Sequence, residues 1–218
     1  MKIGVLGTGG VGQTLATALV AHGHEVKMGS RQAGNVKAVA WAEGAGDSAS
    51  EGSFRDAAAF ADLVVNATAG AASLDALESA GTENLAGKVI LDVSNPLDFS
   101  KGFPPSLTVC NTDSVAEQLQ RAFPDARVVK SLNTMNCDVM VEPSLVPGSH
   151  NVFLAGNDDG AKAEIKALLE GFGWPSDDIL DLGDATAARG MEMYVPFWVR
   201  LFGTAGTGHF NIKLVLGS

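Results

Sequence analysis

The sequence predicts an α/β fold in which a doubly wound, mainly parallel sheet carries a small helical part at its C-terminal end. Short runs rich in Val, Ile and Leu alternate along the chain with longer stretches of helical character. These runs are nearly continuous in apolar residues, which is typical of parallel strands covered by helices on both faces. Glycine, asparagine, threonine or proline follows most of them and marks the turns between strand and helix.

The predicted strands and helices alternate along the chain. The strands are expected at residues 2–6, 24–30, 62–68, 88–96, 127–134, 151–157 and 178–184. The helices are expected at residues 9–24, 36–46, 73–80, 114–123, 160–173 and 185–203. Pro196 should either kink the last helix or stand in its first turn. A weakly alternating run at residues 210–216 is expected to form an edge strand.

The composition excludes several classes of function. The formal net charge of −10 argues against sequence-independent binding to nucleic acid, which needs a basic face. The two cysteines, Cys110 and Cys137, lack metal-ligand spacing and are typical of reduced thiols. The first residues lead directly into a strand pattern, and no apolar run is long enough to span a bilayer. We therefore expect a cytoplasmic protein with no metal site and no membrane segment.

The stretch GTGGVG at residues 7–12 follows the first predicted strand and opens the first predicted helix. Glycines spaced as G-x-G-x-x-G in this context form the pyrophosphate-binding turn of a Rossmann fold. Gly7 would allow the tight turn, Gly9 the approach of the backbone to the phosphates, and Gly12 the close packing of helix on strand. Gly10 adds further conformational freedom to the backbone of this turn. The sequence therefore predicts a dinucleotide at the N-terminus of this helix.

The second predicted strand ends in Ser30 and Arg31, where NAD-binding proteins usually place an Asp or Glu on the ribose hydroxyls. A carboxylate there would repel the 2′-phosphate of NADP. A serine hydroxyl can instead donate a hydrogen bond to that phosphate, and a guanidinium can pair with it through two charge-assisted hydrogen bonds. The predicted cofactor is therefore NADP(H) and not NAD(H).

Two further strand ends are expected beside the ribose and nicotinamide. Ala67 and Thr68 end the third predicted strand, and Asn95 and Pro96 end the fourth. Ligands of such sheets lie at the carboxyl ends of the strands. Asparagine and proline also form turns without any ligand, and that interpretation stays open for these loops.

No arrangement for nucleophilic, metal or acid–base catalysis is evident, and we expect no catalytic side chain. Lys130 lies inside a predicted strand and is a poor candidate for proton transfer. Arg189 and Glu192 are three residues apart and are expected to form a pair on a helix surface.

Residues 1–31, 127–140 and 168–184 resemble the NADP-dependent reductases of the deazaflavin coenzyme F420. They are also similar to the NADPH-binding domain of the transmembrane ferric reductases. The resemblance implies that NADPH is bound by Gly7, Thr8, Gly9, Val11, Ser30 and Arg31. It also implies that a second planar ring system lies against the nicotinamide, so that hydride passes directly between two cofactors.

Asn133 bears on which ring system this is. The deazaflavin reductases carry a histidine at this place, whereas the ferric-reductase-like relatives carry an asparagine. The resemblance therefore leaves F420 and a flavin, FMN or FAD, open as the second redox partner. Asn133 is expected either to bond a carbonyl or ring nitrogen of that partner or to cap the strand end.

These inferences together predict an NADPH-dependent oxidoreductase that acts on a small-molecule redox acceptor. Residues 1–150 are expected to form the NADP-binding domain and residues 151–218 an acceptor-binding and dimerisation part, either separate or within one compact unit. The apolar C-terminal stretch predicts a homodimer. Two alternatives stay open: a reductase of a small carbonyl or imine substrate, and an NADPH-binding sensor without catalysis.

Overall fold

The computed structural model of the protein describes residues 1–217, and its centre is an eight-stranded sheet. The strands in chain order are β1 (Lys2–Leu6), β2 (Glu25–Ser30), β3 (Ala49–Ser53), β4 (Leu63–Asn66), β5 (Val89–Asp92), β6 (Leu97–Asp98), β7 (Ser106–Leu107), β8 (Arg127–Ser131), β9 (Val152–Gly156) and β10 (Ile179–Asp181). The strand order in the sheet is β10-β9-β8-β5-β4-β1-β2-β3, and β6 and β7 form a separate antiparallel pair.

The helices in chain order are α1 (Gly10–Ala21), α2 (Val36–Ala45), α3 (Phe54–Phe60), α4 (Gly70–Ala80), α5 (Thr82–Leu85), α6 (Val115–Ala122), α7 (Cys137–Val141), α8 (Asp159–Gly171), α9 (Ala188–Met193) and α10 (Val195–Ala205). Of these, α1, α2, α4, α6 and α8 connect strands and lie where the sequence predicts helices. The predicted doubly wound α/β fold is thereby confirmed.

The sheet is parallel from β3 to β8 and changes direction once. β8 and β9 are antiparallel, with Val129 opposite Gly156, and β10 runs parallel to β9. The carboxyl ends of β1, β2, β4, β5 and β8 therefore meet at one edge, whereas β9 and β10 end at the other.

Helices cover both faces of the sheet, which explains the continuous apolar character of its strands. Successive residues of a strand point to opposite faces. Val5 and Leu91 lie on the face of the sheet covered by α1, α2 and α8. Their neighbours Leu6 and Ile90 lie on the face covered by α3, α4 and α6. All four side chains are fully buried.

Residues 49–60 form a strand and a helix, β3 and α3, that the sequence pattern did not predict. β3 is an edge strand of sequence ASEGS, too short and too polar to give an apolar run. α3 begins with a capping box in which Ser53 and Asp56 bond each other's backbone N–H groups.

The C-terminal part differs from the prediction in two ways. The single helix expected at residues 185–203 is a short 3-10 turn followed by α9 and α10, which meet at Tyr194; Pro196 stands in the first turn of α10. The edge strand expected at residues 210–216 is wrong, because this segment pairs with no strand. It is held instead by Asn151, whose N–H donates to the Ile212 carbonyl at 2.9 Å and whose Oδ1 accepts from the Leu214 N–H at 2.7 Å.

The predicted division at residue 150 stays a prediction, since β9 and β10 beyond it extend the same sheet. No helix among residues 1–217 combines the length and the hydropathy needed to cross a membrane.

Candidate functional site

The carboxyl ends of β1, β2 and β4 surround a cavity of about 570 Å³, within the usual range of small-molecule sites. Seven of the predicted site residues line it: Gly7, Thr8, Gly9, Ser30, Arg31, Ala67 and Thr68. Gly10, Val11 and Gly12 form the first turn of α1 directly behind this wall. Asn95, Pro96 and Asn133 follow β5 and β8 along the same edge of the sheet and do not line the cavity.

The turn between β1 and α1 can be built only with glycine at two positions. Gly7 has a φ of +123°, and a Cβ on it would lie 2.5 Å from the Ala67 carbonyl oxygen. A Cβ on Gly12 would lie 2.2 Å from the Gly7 carbonyl oxygen, so α1 packs against the turn itself. A Cβ on Gly9, in contrast, would meet no atom within 4 Å. Gly9 therefore keeps open space in front of the helix.

The N-terminus of α1 is suited to an anion. Gly9 is its N-cap and offers no side chain to the first N–H groups, and the first turn contains no acidic residue. The unpaired N–H groups of a helix N-terminus carry partial positive charge and bind phosphates readily. The residues present therefore fit the pyrophosphate of a dinucleotide.

Arg31 is the cationic residue that lines the cavity. Its side chain is exposed and forms no ion pair with any of residues 1–217. Ser30 is buried and its hydroxyl donates to the Gln32 carbonyl. Asn35 also lines the cavity, but its side chain caps α2. Arg31 thus offers a phosphate positively charged hydrogen-bond donors that no carboxylate among residues 1–217 engages.

Thr68 connects the cavity to a buried polar network. Its hydroxyl donates to Asn66 Oδ1 at 2.7 Å and contacts Ser73 Oγ at 3.0 Å. Asn66 is fully buried, and its Nδ2 donates to Asp92 Oδ1 at 2.9 Å and to Ser73 Oγ at 3.0 Å. Because every donor is engaged, the loop after β4 is held in one position.

Asn133 and Asn95 join the loops after β8 and β5. Asn133 Nδ2 donates to Asn95 Oδ1 at 2.9 Å and to the Met191 carbonyl at 3.1 Å, and Asn95 Nδ2 donates to the Asn133 carbonyl at 2.9 Å. Two backbone carbonyls thus fix the orientation of both amides. Leu132, with a φ of +63°, turns the chain sharply just before Asn133.

These bonds limit the expected role of Asn133, which stays a prediction: its Oδ1 has no hydrogen-bond partner within residues 1–217 and can accept from a ring N–H, whereas its Nδ2 is engaged. Both of its amide hydrogens are used within the protein, so it has none to donate to a carbonyl of a redox acceptor. The alternative, that it holds the shape of the strand end, agrees with the contacts.

Lys130 is fully buried at the end of β8, behind this edge of the sheet. Its Nζ lies 2.6 Å from Asp92 Oδ2, 2.8 Å from Glu192 Oε1 and 2.7 Å from the Ser94 carbonyl oxygen. Burial acts to lower the pKa of Lys130, but the two carboxylates raise it overall. Lys130 is therefore a charged structural group without a spare hydrogen-bond donor.

Glu192 is also buried, so the pair with Arg189 expected on a helix surface is wrong. Its carboxylate accepts from Lys130 and from the N–H groups of Val115 and Ala116 at the start of α6. Burial raises the pKa of Glu192, and Lys130 opposes that shift. Arg189 instead pairs with Glu117, 2.6 Å away.

Sequence reasoning missed the cavity wall formed by α3 and α4. Phe54, Asp75 and Ser79 line the cavity together with two alanines of α4. The capping box at residues 53–56 is a sequence signal for the start of α3. The four-residue spacing of Asp75 and Ser79 places them on one face of α4.

The family model of NADP oxidoreductases dependent on coenzyme F420 matches residues 2–96. A crystal structure from Arthrobacter sp. FB24, provisionally named an F420-dependent NADP-reductase, is 51% identical in sequence with a TM-score of 0.94. The alignment covers 99% of this chain and 100% of that chain.

Two more distant proteins are similar to the chain. The metalloreductase STEAP3 of Rattus norvegicus is 29% identical over 191 residues; the match covers 88% of this chain and 36% of that protein's length. A reductive aminase from Aspergillus terreus, solved with NADPH and ethyl levulinate, is 20% identical with a TM-score of 0.67. That match covers 94% of this chain and 62% of the other, and it shows a shared fold. On the full-length similarity at 51% identity and the match of the family model, the chain belongs to the F420-dependent family of NADP oxidoreductases.

Proposed function

We propose that the chain binds NADP(H) in the cavity at the ends of β1, β2 and β4 and transfers hydride between this nucleotide and coenzyme F420. One observation carries the proposal: a helix N-terminus without a capping side chain lines the same cavity as Arg31, which forms no ion pair with any of residues 1–217. The helix N-terminus matches the pyrophosphate that all such dinucleotides share, and the arginine matches the 2′-phosphate that distinguishes NADP from NAD.

The residues of the cavity divide the binding between them. Gly7, Thr8 and Gly9 present backbone to the pyrophosphate, while Gly10, Val11 and Gly12 supply the first turn of α1 behind it. Arg31 pairs with the 2′-phosphate. Ser30 lies beside it with its hydroxyl directed to Gln32, so the arginine contributes most of the preference for NADP. Ala67 and Thr68 form the wall nearest the ribose.

Hydride transfer between two cofactors needs no strong acid or base from the protein. When bound, NADPH supplies the hydride, and the deazaflavin takes up that hydride together with one proton from solvent. The loops containing Asn95, Pro96 and Asn133 would hold the two rings in contact and exclude water, since orientation supplies most of the acceleration in such a transfer. The mutual bonds of Asn95 and Asn133 make these loops rigid enough for that task.

The choice of F420 rests on the family and on the named relative in Arthrobacter. A flavin acceptor is the second candidate for two reasons. The chain is also similar to a metalloreductase of rat, and position 133 carries an asparagine where the deazaflavin reductases carry a histidine.

The test is anaerobic oxidation of NADPH by the purified protein with F420, FMN and FAD in parallel, alongside NADH as the poorer donor. Turnover with F420 and NADPH supports the proposal, whereas turnover with a flavin alone assigns the flavin as acceptor. Turnover of a carbonyl or imine panel without either ring system would support a small-substrate reductase. A protein that binds NADPH but reduces none of these would be a sensor, and the proposed hydride transfer would be wrong.

The homodimer and the cytoplasmic location stay predictions. Phe197 and Phe202 on α10 are 57% and 41% exposed, an apolar surface that supports self-association. Sedimentation of the wild type and of the Phe197→Glu variant measures that association directly.

A further inference from the structure

Asp75 lines the cavity in which we place NADP(H), although both the side chain and the ligand are negatively charged. Asp75 lies on α4, lines the same cavity as Arg31, and forms no hydrogen bond or ion pair with any of residues 1–217. A carboxylate near phosphates is unfavourable by charge alone. Its presence is therefore explained best by a hydrogen-bond donor of the ligand.

Ser79 lies one turn further along α4 and lines the same cavity. Residues four apart on a helix are neighbours on its surface, so the carboxylate and the hydroxyl form an adjacent acceptor and donor. The Ser79 side chain has no hydrogen-bond partner within the described residues either. Ala72 and Ala76 on the same helix also line the cavity and add apolar surface to this wall.

Such a wall complements the edge and the face of adenine. The 6-amino group is the donor of this base, and its neighbouring ring nitrogens are acceptors. Phe54 and the two alanines offer apolar contact to the ring face, and the guanidinium of Arg31 can stack on an aromatic ring. The nicotinamide also carries a donor and an acceptor on a flat ring, but the proposed transfer places that ring at the loops containing Asn95 and Asn133, which do not line this cavity.

We propose that Asp75 and Ser79 recognise the adenine edge of NADP(H), with Asp75 accepting a hydrogen bond from the 6-amino group and Ser79 donating one to a ring nitrogen. This inference rests on the proposed binding of NADP(H) in the cavity. It makes Asp75 a specificity-determining residue for the base, separate from the role of Arg31 at the 2′-phosphate.

The test compares the binding of NADPH with that of its deamino analogue, in which hypoxanthine replaces adenine. The analogue carries a carbonyl oxygen where NADPH has the amino group, and this oxygen faces the Asp75 carboxylate unfavourably. Its neighbouring ring nitrogen carries a hydrogen, for which the Ser79 hydroxyl can act as an acceptor. Dissociation constants are measured by calorimetry on the wild type and on Asp75→Asn, Ser79→Ala and Glu78→Gln. Glu78 is the matched control because it is exposed on α4, loses the same charge and does not line the cavity.

We expect the wild type and Glu78→Gln to prefer NADPH about tenfold, the lower end for a charge-assisted hydrogen bond because Asp75 is exposed. Asp75→Asn should bring the two affinities close to equality, since an amide accommodates either group, and Ser79→Ala should weaken NADPH severalfold. A preference unchanged in Asp75→Asn would overturn the inference. So would equal tightening of both ligands, which indicates charge repulsion alone. If neither ligand binds the wild type, the proposed function itself fails.

Discussion

Replacement of Arg31 by alanine should convert a preference for NADPH into near indifference between NADPH and NADH. Because Arg31 has no partner within residues 1–217, its removal breaks no internal ion pair, and the effect falls on the ligand alone. A charge-assisted contact to a phosphate contributes about 1.5–3 kcal/mol. Since the guanidinium is exposed and screened, we take about 1.5 kcal/mol, or roughly tenfold in the dissociation constant of NADPH.

Calorimetric titration with NADPH and NADH at low and high ionic strength measures this effect. The loss for NADPH should shrink as salt screens the contact, and NADH should bind equally to both proteins. Arg55→Ala is the matched control, because Arg55 is also exposed but pairs with Glu83 at 2.6 Å, outside the cavity. Equal losses for NADPH and NADH, or a loss in Arg55→Ala of the same size, would refute the 2′-phosphate role.

Three further substitutions test other parts of the structure. Gly9→Ala should leave the melting temperature unchanged, since its Cβ meets no protein atom, yet weaken NADPH at least tenfold, because that Cβ projects toward the phosphates. Lys130→Met should lower the free energy of unfolding in urea by about 3–5 kcal/mol, because it leaves two buried carboxylates without their cation. Asp113→Asn should remove a pH dependence of stability. Arg121 holds the pKa of Asp113 at about 2 instead of 3.8, so the folded state gains stability above pH 4 and loses it as the pH falls to 2. After screening of the exposed pair, this contribution is about 1 kcal/mol, and an identical pH profile for the variant would contradict it.

Local signals predicted the part of the site that lies on one turn and one strand end. The spacing of Gly7, Gly9 and Gly12 predicts a turn whose sterics the structure reproduces at Gly7 and Gly12. The exposed Arg31 follows its strand and lines the cavity as expected. These features depend on residues close together in the sequence, where chain geometry limits the outcomes.

The remaining features depend on contacts that no local pattern encodes. Glu192 has the spacing of a helix surface residue, yet it is buried because Lys130, 62 positions earlier, requires a second anion. Asn133 is a plausible donor by residue type, but the Met191 carbonyl and Asn95 consume its hydrogens. β3 has too little apolar character to show a period, because an edge strand is only partly buried.

The ion cluster of Lys130, Asp92 and Glu192 also constrains how this sequence can diverge. Loss of any one member leaves buried charge unmatched, which is strongly destabilising, whereas replacement of all three by apolar residues of similar volume is often neutral or better. The intermediate steps between these two solutions therefore fold poorly. We expect related sequences either to keep all three residues or to have replaced all three. The three positions should therefore change together, although they lie on two strands and a distant helix.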